Sequence, residues 1–155
     1  MLNRLRARLG YGLARRLLAW PWLVRQPRLW RWMEGQFARQ ARLGDVAAQS
    51  FYGHVLLFRG QGLGAREEGR RLLTLAAQGG EGKAAYQLGL LCWQGDSGRS
   101  PAPLEALRWW QLAADAGHPL AAQRLARLYA EGAPGIAIDS ARSQQYQKRA
   151  AELGL

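Results

Sequence analysis

The residues of this 155-residue chain that could do chemistry are few: two histidines, His54 and His118, one cysteine, Cys92, and a glycine-rich run, Gly60-Gln61-Gly62-Leu63-Gly64. Ser50 lies four residues before His54, a spacing that on a helix lets a hydroxyl meet an imidazole, as an activated nucleophile requires. Such a base also needs an acid to orient its ring, and none is placed to do so. Neither histidine has a partner at metal-ligand spacing, and His118 sits in a turn before Pro119. The glycine run has no strand before it, as a phosphate-binding loop would. Glu67-Glu68 near a helix start suits the helix dipole and needs no acid-base role. A lone cysteine excludes an internal disulfide, and Cys92 falls at an apolar helical position, which predicts a buried structural thiol. These residues predict no catalytic centre, no metal site and no cofactor.

The elements that carry them recur. Aligned on Ala48, Ala84 and Ala121, three segments read AQSFYGHVLLFRGQG, AAYQLGLLCWQG and AAQRLARLYAEG, and their units close with LAAQGG, LAADAG and RAAELG. The register steps by 36 and then 37 residues. A period of that size marks stacked supersecondary units, none of which can bury its apolar face alone. Apolar residues recur at helical spacing (Leu88, Leu91, Cys92; Leu125, Leu128, Tyr129; Leu104, Leu107, Trp110), so each copy is expected to hold two amphipathic helices. Gly53, Gly89 and Ala126 would let the second helix come close. Asp45 and Asp139 are candidate N-caps, Ser100-Pro101 a cap with first-turn proline, and Pro119 a helix start just after Gly117. No stretch alternates with period two, which argues against a sheet.

Leu88-Gly89 with Cys92, Leu125-Ala126 with Tyr129, the glycine breaks (Gly60 to Gly62, Gly95 to Gly98, Gly132 to Gly135) and the Ala-Ala-x-x-Gly closers resemble Sel1-like repeats, relatives of the tetratricopeptide repeat. The resemblance covers repeats at 45–80, 81–117 and 118–154, preceded by a half-repeat at 28–44 in which Phe37 falls where Leu73 and Trp110 fall. It implies an all-α, right-handed α-solenoid of helix pairs and a non-catalytic role in protein interaction. It also implies that the first helix of each pair lines a concave, partner-binding face. Carried over by phase, that face is Ser50, His54, Leu57 and Phe58 in copy 1. It continues as Lys83, Tyr86, Leu90, Trp93 and Gln94 in copy 2, and as Gln123, Arg127, Ala130 and Glu131 in copy 3. Residues 83, 86, 90, 93 and 94 share one side of a helix. Lys83, Tyr86, Trp93 and Arg127 would suit a protein or peptide carrying acidic groups.

Charge separates the N-terminus from the repeats. Residues 1–44 hold 10 Arg and one acid, Glu34, for a net +9, whereas residues 45–155 hold 12 basic and 10 acidic residues, net +2. Leu2, Leu5, Leu9, Leu13, Leu17 and Trp20 form one helical stripe in residues 1–27, with Arg4, Arg6, Arg8, Arg15 and Arg16 largely beside or opposite it. Trp20, Trp22, Trp30 and Trp32 follow, along with Arg25 and Arg28. Such a segment can lie in an anionic membrane interface, or it can cap the open end of the repeats with its apolar stripe. Nucleic acid is a weaker alternative, since arginines with interleaved aromatics suit phosphates and bases but no nucleic-acid motif accompanies them. The longest uncharged run, Val46 to Phe58, has 13 residues, too few to cross a membrane. Leu17 to Val24 is short, interrupted by Pro21 and followed by Arg25 without a small-residue cleavage site, so an export signal is not expected. The expectation is an adaptor of the cytoplasm, able to rest on the inner face of a membrane.

Overall fold

The computed structural model describes residues 2–96 and 98–155, with the side chains of residues 2–6, 23 and 24 outside the description. The described residues form an all-α fold: α1 (Leu2–Leu17), α2 (Pro21–Val24), α3 (Pro27–Arg42), α4 (Val46–Arg59), α5 (Gly62–Gln78), α6 (Gly82–Gln94), α7 (Pro103–Asp115), α8 (Pro119–Glu131) and α9 (Ser140–Glu152). Extended pairing among them is limited to two isolated bridges, Asp96 with Arg99 and Ala133 with Ile136. Two compact units divide the chain, Met1–Leu72 and Leu73–Leu155, with the division inside α5.

Several helix ends follow from local chemistry. Asp45 accepts a hydrogen bond from the Ala48 N–H at 2.8 Å and Asp139 one from the Arg142 N–H at 2.9 Å, so both act as the expected N-caps. Pro119 opens α8 after left-handed Gly117. The Ser100-Pro101 start is corrected: α7 begins at Pro103, because the Ala102 N–H is drawn back to the Cys92 carbonyl at 2.7 Å. The Asp139 N–H makes the equivalent bond to Tyr129, 2.8 Å, so both regular breaks close in the same way. Copy 1 does not share this closure. Gly60 has φ −65° and α5 starts at Gly62, so helix replaces most of the break.

In the first unit Phe37 is the centre of the interior, edge-on to Tyr11 at 5.9 Å and to Phe51 at 5.1 Å. Met33, Ala41, Ala48, Leu56 and Leu72 surround it. Two buried amide nitrogens are paired there: Gln49 Nε2 donates to the Ala41 carbonyl at 3.2 Å, and Gln40 Nε2 to Asp45 Oδ2 at 3.2 Å, whereas Gln40 Oε1 and the Tyr11 hydroxyl have no partner. α1 packs on α3, with Leu17 of its leucine stripe against the interior but Leu9 and Leu13 outside it. Its buried face is Ala7 and Ala14 with Tyr11 between them, whereas Leu9 is 68% and Leu13 53% exposed. Small residues bring the backbones closer than leucines would. A β-carbon at Gly10 would overlap the Gln36 carboxamide.

The paired helices of each copy meet where the first helix carries a small residue. A β-carbon on Gly69 of α5 would lie 2.9 Å from the Gly53 carbonyl of α4. In the second unit one on Gly89 of α6 would collide with the Trp110 indole of α7, and the Ser143 hydroxyl of α9 donates to the Ala126 carbonyl of α8 at 2.8 Å. Gly69 and Ser143 are thus the second-helix counterparts of Gly53 and Ala126, and both are buried, whereas Gly89 receives the Trp110 ring. Cys92 is buried as expected, its thiol 3.6 Å from Glu105 Oε2.

Candidate partner-binding surface

In the first unit the α4 residues assigned to a binding face divide between interior and surface. Ser50 is buried, so it is withdrawn from any open face; the helix turns it inward beside buried Gln49. His54 Nδ1 donates to the Ser50 carbonyl at 2.7 Å, which leaves Nε2 as the imidazole's other ring nitrogen and does not engage the Ser50 hydroxyl. Leu57 is half-buried and leans toward Gly69 of α5. Phe58 is 71% exposed, its ring stacked against His54 with centroids 6.4 Å apart. A cleft of this unit, about 380 Å³, opens on the other side of α4 between Trp30, Glu34, Val55 and Arg59. Its two charged groups are already engaged: the Arg59 guanidinium lies 5.7 Å over the Trp30 ring and Glu34 accepts from the Tyr52 hydroxyl at 3.4 Å. Burial first, and then Glu34, push the Tyr52 phenol up to about 12.

The second unit presents a more open arrangement. On α6, Lys83 and Gln94 are exposed while Tyr86, Leu90 and Trp93 are half-buried. The Tyr86 ring stacks on His118 at 4.4 Å, and Trp93 lies against Trp110 at 5.6 Å. Burial lowers the His118 pKa; the Lys83 ammonium adds to the effect and Glu81 opposes it. On α8, Gln123, Arg127, Ala130 and Glu131 are exposed, and Arg127 Nε pairs with Glu131 Oε1 at 2.8 Å. Trp93, Trp110, Arg124, Arg127, Leu128, Glu131 and Gly132 enclose a cleft of about 200 Å³. It therefore joins Trp93 of one copy to Arg127 and Glu131 of the next. Arg124 was not among the residues assigned from the sequence, although it stands one turn before Arg127 on the same helix, a relation that would have found it. Tyr86, by contrast, is turned toward His118 and does not line this cleft.

At the N-terminus Arg8, Arg15, Arg16, Arg25 and Arg28 are exposed, and so are Trp20 and Trp22, whose rings are 6.2 Å apart. Arg15 is partly committed to the fold, with its guanidinium 5.4 Å over the Phe51 ring. The side chains of Arg4 and Arg6 lie outside the described residues. Among the described residues no helix is long and apolar enough to cross a membrane, and no group of His, Cys, Asp and Glu comes together as a metal site.

Comparison with known proteins accounts for this architecture. The Sel1 repeat pattern matches residues 46–81, 82–118 and 119–155. Among solved structures, a Sel1 repeat protein from Oxalobacter formigenes is 32% identical, with 77% of this chain and 88% of that chain covered and a TM-score of 0.67. The c5321 protein, a protective antigen of uropathogenic Escherichia coli strains with an SLR fold, is 25% identical with a TM-score of 0.68 over 79% of this chain. This chain spans only 26% of the c5321 chain. No curated protein matches. Sel1 repeat proteins generally serve as protein-interaction adaptors and are typically non-catalytic. With three matched repeats, paired helices in each and a relative of 32% identity, the chain belongs to the Sel1 repeat family.

Proposed function

We propose that this chain is a non-catalytic adaptor that binds an acidic segment of a protein partner at the cleft between Trp93 and the arginines of α8. The observation that carries the reading is the pairing in one open cleft of an aromatic wall, Trp93 and Trp110, with two exposed guanidiniums, Arg124 and Arg127. An apolar side chain of the partner would fill the aromatic side, and its carboxylates would meet the arginines. The Arg127–Glu131 pair does not block this. An exposed pair within one helix is worth well under ~1 kcal/mol, so a ligand carboxylate displaces Glu131 at little cost. Lys83 and Gln94 on α6, with Gln123 and Ala130 on α8, are exposed residues of the same two helices outside the cleft lining. In the first unit, exposed Phe58 stacked on His54 is a separate apolar surface.

Panning random peptides against the full chain tests this. Enrichment of peptides that combine Asp or Glu with a large apolar residue is expected, and Arg127→Glu should reverse the charge preference while leaving the melting temperature unchanged. A peptide set with no acidic bias, or one that Trp93→Ala and Arg127→Glu leave equally bound, would remove the cleft as the binding site.

The basic N-terminal segment supports a tethering role at an anionic membrane surface, on the cytoplasmic inner face. Its observation is the exposed Leu9, Leu13, Trp20 and Trp22 among exposed arginines. The nucleic-acid alternative uses the same charges and predicts affinity that falls steeply with salt and shows no lipid preference.

A further inference from the structure

We propose that α1 has two opposed working faces and binds anionic lipid while still packed on the fold, its outer leucine ridge entering the membrane interface. The proposal rests on the tethering reading and adds which face is used and what the helix does on binding. Inward, α1 is held by Ala7 and Ala14, both without exposed surface, and by Tyr11, wedged edge-on between Phe37 at 5.9 Å and Phe51 at 6.1 Å. At about 100° per residue, Leu9 stands roughly 150° round the helix from those three residues. Leu9 and Leu13 accordingly point away from the unit, 68% and 53% exposed. The register puts positions 2 and 5, both leucine, on the same ridge. Neither Leu9 nor Leu13 belongs to the packed interior of the unit, and neighbouring exposed aliphatic side chains mark a surface that meets something else.

Charge identifies what. The segment before Glu34 contains no acid, and Arg8 and Arg16 on α1 are exposed beside the ridge. A second copy docking through this face would bring two such cationic segments together. Nucleic acid would satisfy the guanidiniums but gives aliphatic side chains nothing to bury against, since bases stack on aromatic rings. An anionic lipid interface satisfies both, with leucines among the acyl chains, guanidiniums at the headgroups and Trp20 and Trp22 at the boundary.

The test uses the full chain and two vesicle types, phosphatidylcholine alone and phosphatidylcholine mixed with phosphatidylglycerol. Wild type should float with the anionic vesicles only. Leu9→Asp with Leu13→Asp should weaken that binding by about tenfold or more, because two leucine side chains leave the interface, with no fall in melting temperature. Docking is tested separately by a Gly10→Cys, Gln36→Cys pair in a Cys92→Ala background. Gln36 Cγ lies 3.5 Å from where a Gly10 β-carbon would stand, close to the reach of a disulfide. The oxidised, locked protein should bind the vesicles as well as its own reduced form, a comparison that does not depend on how the aspartate variant folds. Loss of binding on oxidation, regained on reduction, would show that α1 must leave the fold, and undiminished binding by the aspartate variant would show that the ridge is not the contact. Either result overturns this inference and leaves tethering intact. Equal binding to both vesicle types, or displacement from anionic vesicles by an oligonucleotide at low concentration, would end the tethering reading and this inference with it.

Discussion

At the scale of single residues, Gly89 and His118 show how much depends on one contact. Gly89 faces the Trp110 indole, which is buried, so Gly89→Leu should lower stability by about 1–3 kcal/mol or more by overpacking. Even Gly89→Ala should be costly, because the first added carbon already meets the ring. Gly98 differs: no atom lies near its β-position, but its φ is 94°, so Gly98→Ala should cost about 1 kcal/mol through backbone strain alone. Thermal melts of the variants check the order, Gly89→Leu lowest. For His118, a folded pKa below the ordinary value means that the unfolded chain binds the proton more tightly. The stabilising contribution is then fully present above about pH 6.5, the unfolded value, and is lost as pH falls through the folded value. His118→Gln should therefore flatten the fall in melting temperature between neutral pH and pH 5. An unchanged pH profile would mean that another group sets it.

At the scale of elements, the caps and crossings carry the helix pairs. Asp45 serves two elements at once, capping α4 through the Ala48 N–H and accepting from buried Gln40 at the end of α3. Gln40 Oε1 already lacks a partner, so Asp45→Ala would leave both polar atoms of that amide unmet. A loss at the upper end of the ~0.5–2 kcal/mol range for N-caps is expected from urea titration. Asp139→Ala removes a cap and an exposed pair with Arg142 at 3.3 Å and should cost less, about 1 kcal/mol. The crossings depend on small residues in register, Gly53 with Gly69 and Ala126 with Ser143, which is why the repeat shows alanine and glycine where an ordinary amphipathic helix would show leucine.

At the scale of the whole molecule, two compact units imply interiors that can be disturbed separately. Phe37→Ala removes the ring on which Tyr11, Phe51 and Tyr52 converge and should cost about 3–5 kcal/mol. Hydrogen exchange should then rise first among the amides of residues 1–72, α1 included. A uniform rise across residues 1–155 would instead show one cooperative unit.

The period, the helical type of the segments, their facing apolar residues and the caps at Asp45 and Asp139 were all legible in the chain. Each depends on neighbours within a turn or two, so spacing alone expresses it. Other features needed the folded chain because they depend on which surface arrives opposite. α1 carries two apolar faces, and only the meeting of Ala7, Gly10, Tyr11 and Ala14 with Gln36, Phe37 and Phe51 decided that Leu9 and Leu13 remain outside. Ser50 shares a helical side with His54 by spacing, yet it is buried while Phe58 is exposed, because packing around α4 sets where burial ends. Gly60 comes one residue later in its copy than Gly95 and Gly132 do in theirs; only the last two adopt left-handed φ, and both belong to breaks closed by a long-range backbone bond that copy 1 lacks. Arg124 joins the cleft through its place beside Trp93 of the preceding repeat, a proximity set by helix packing across a full period of the chain.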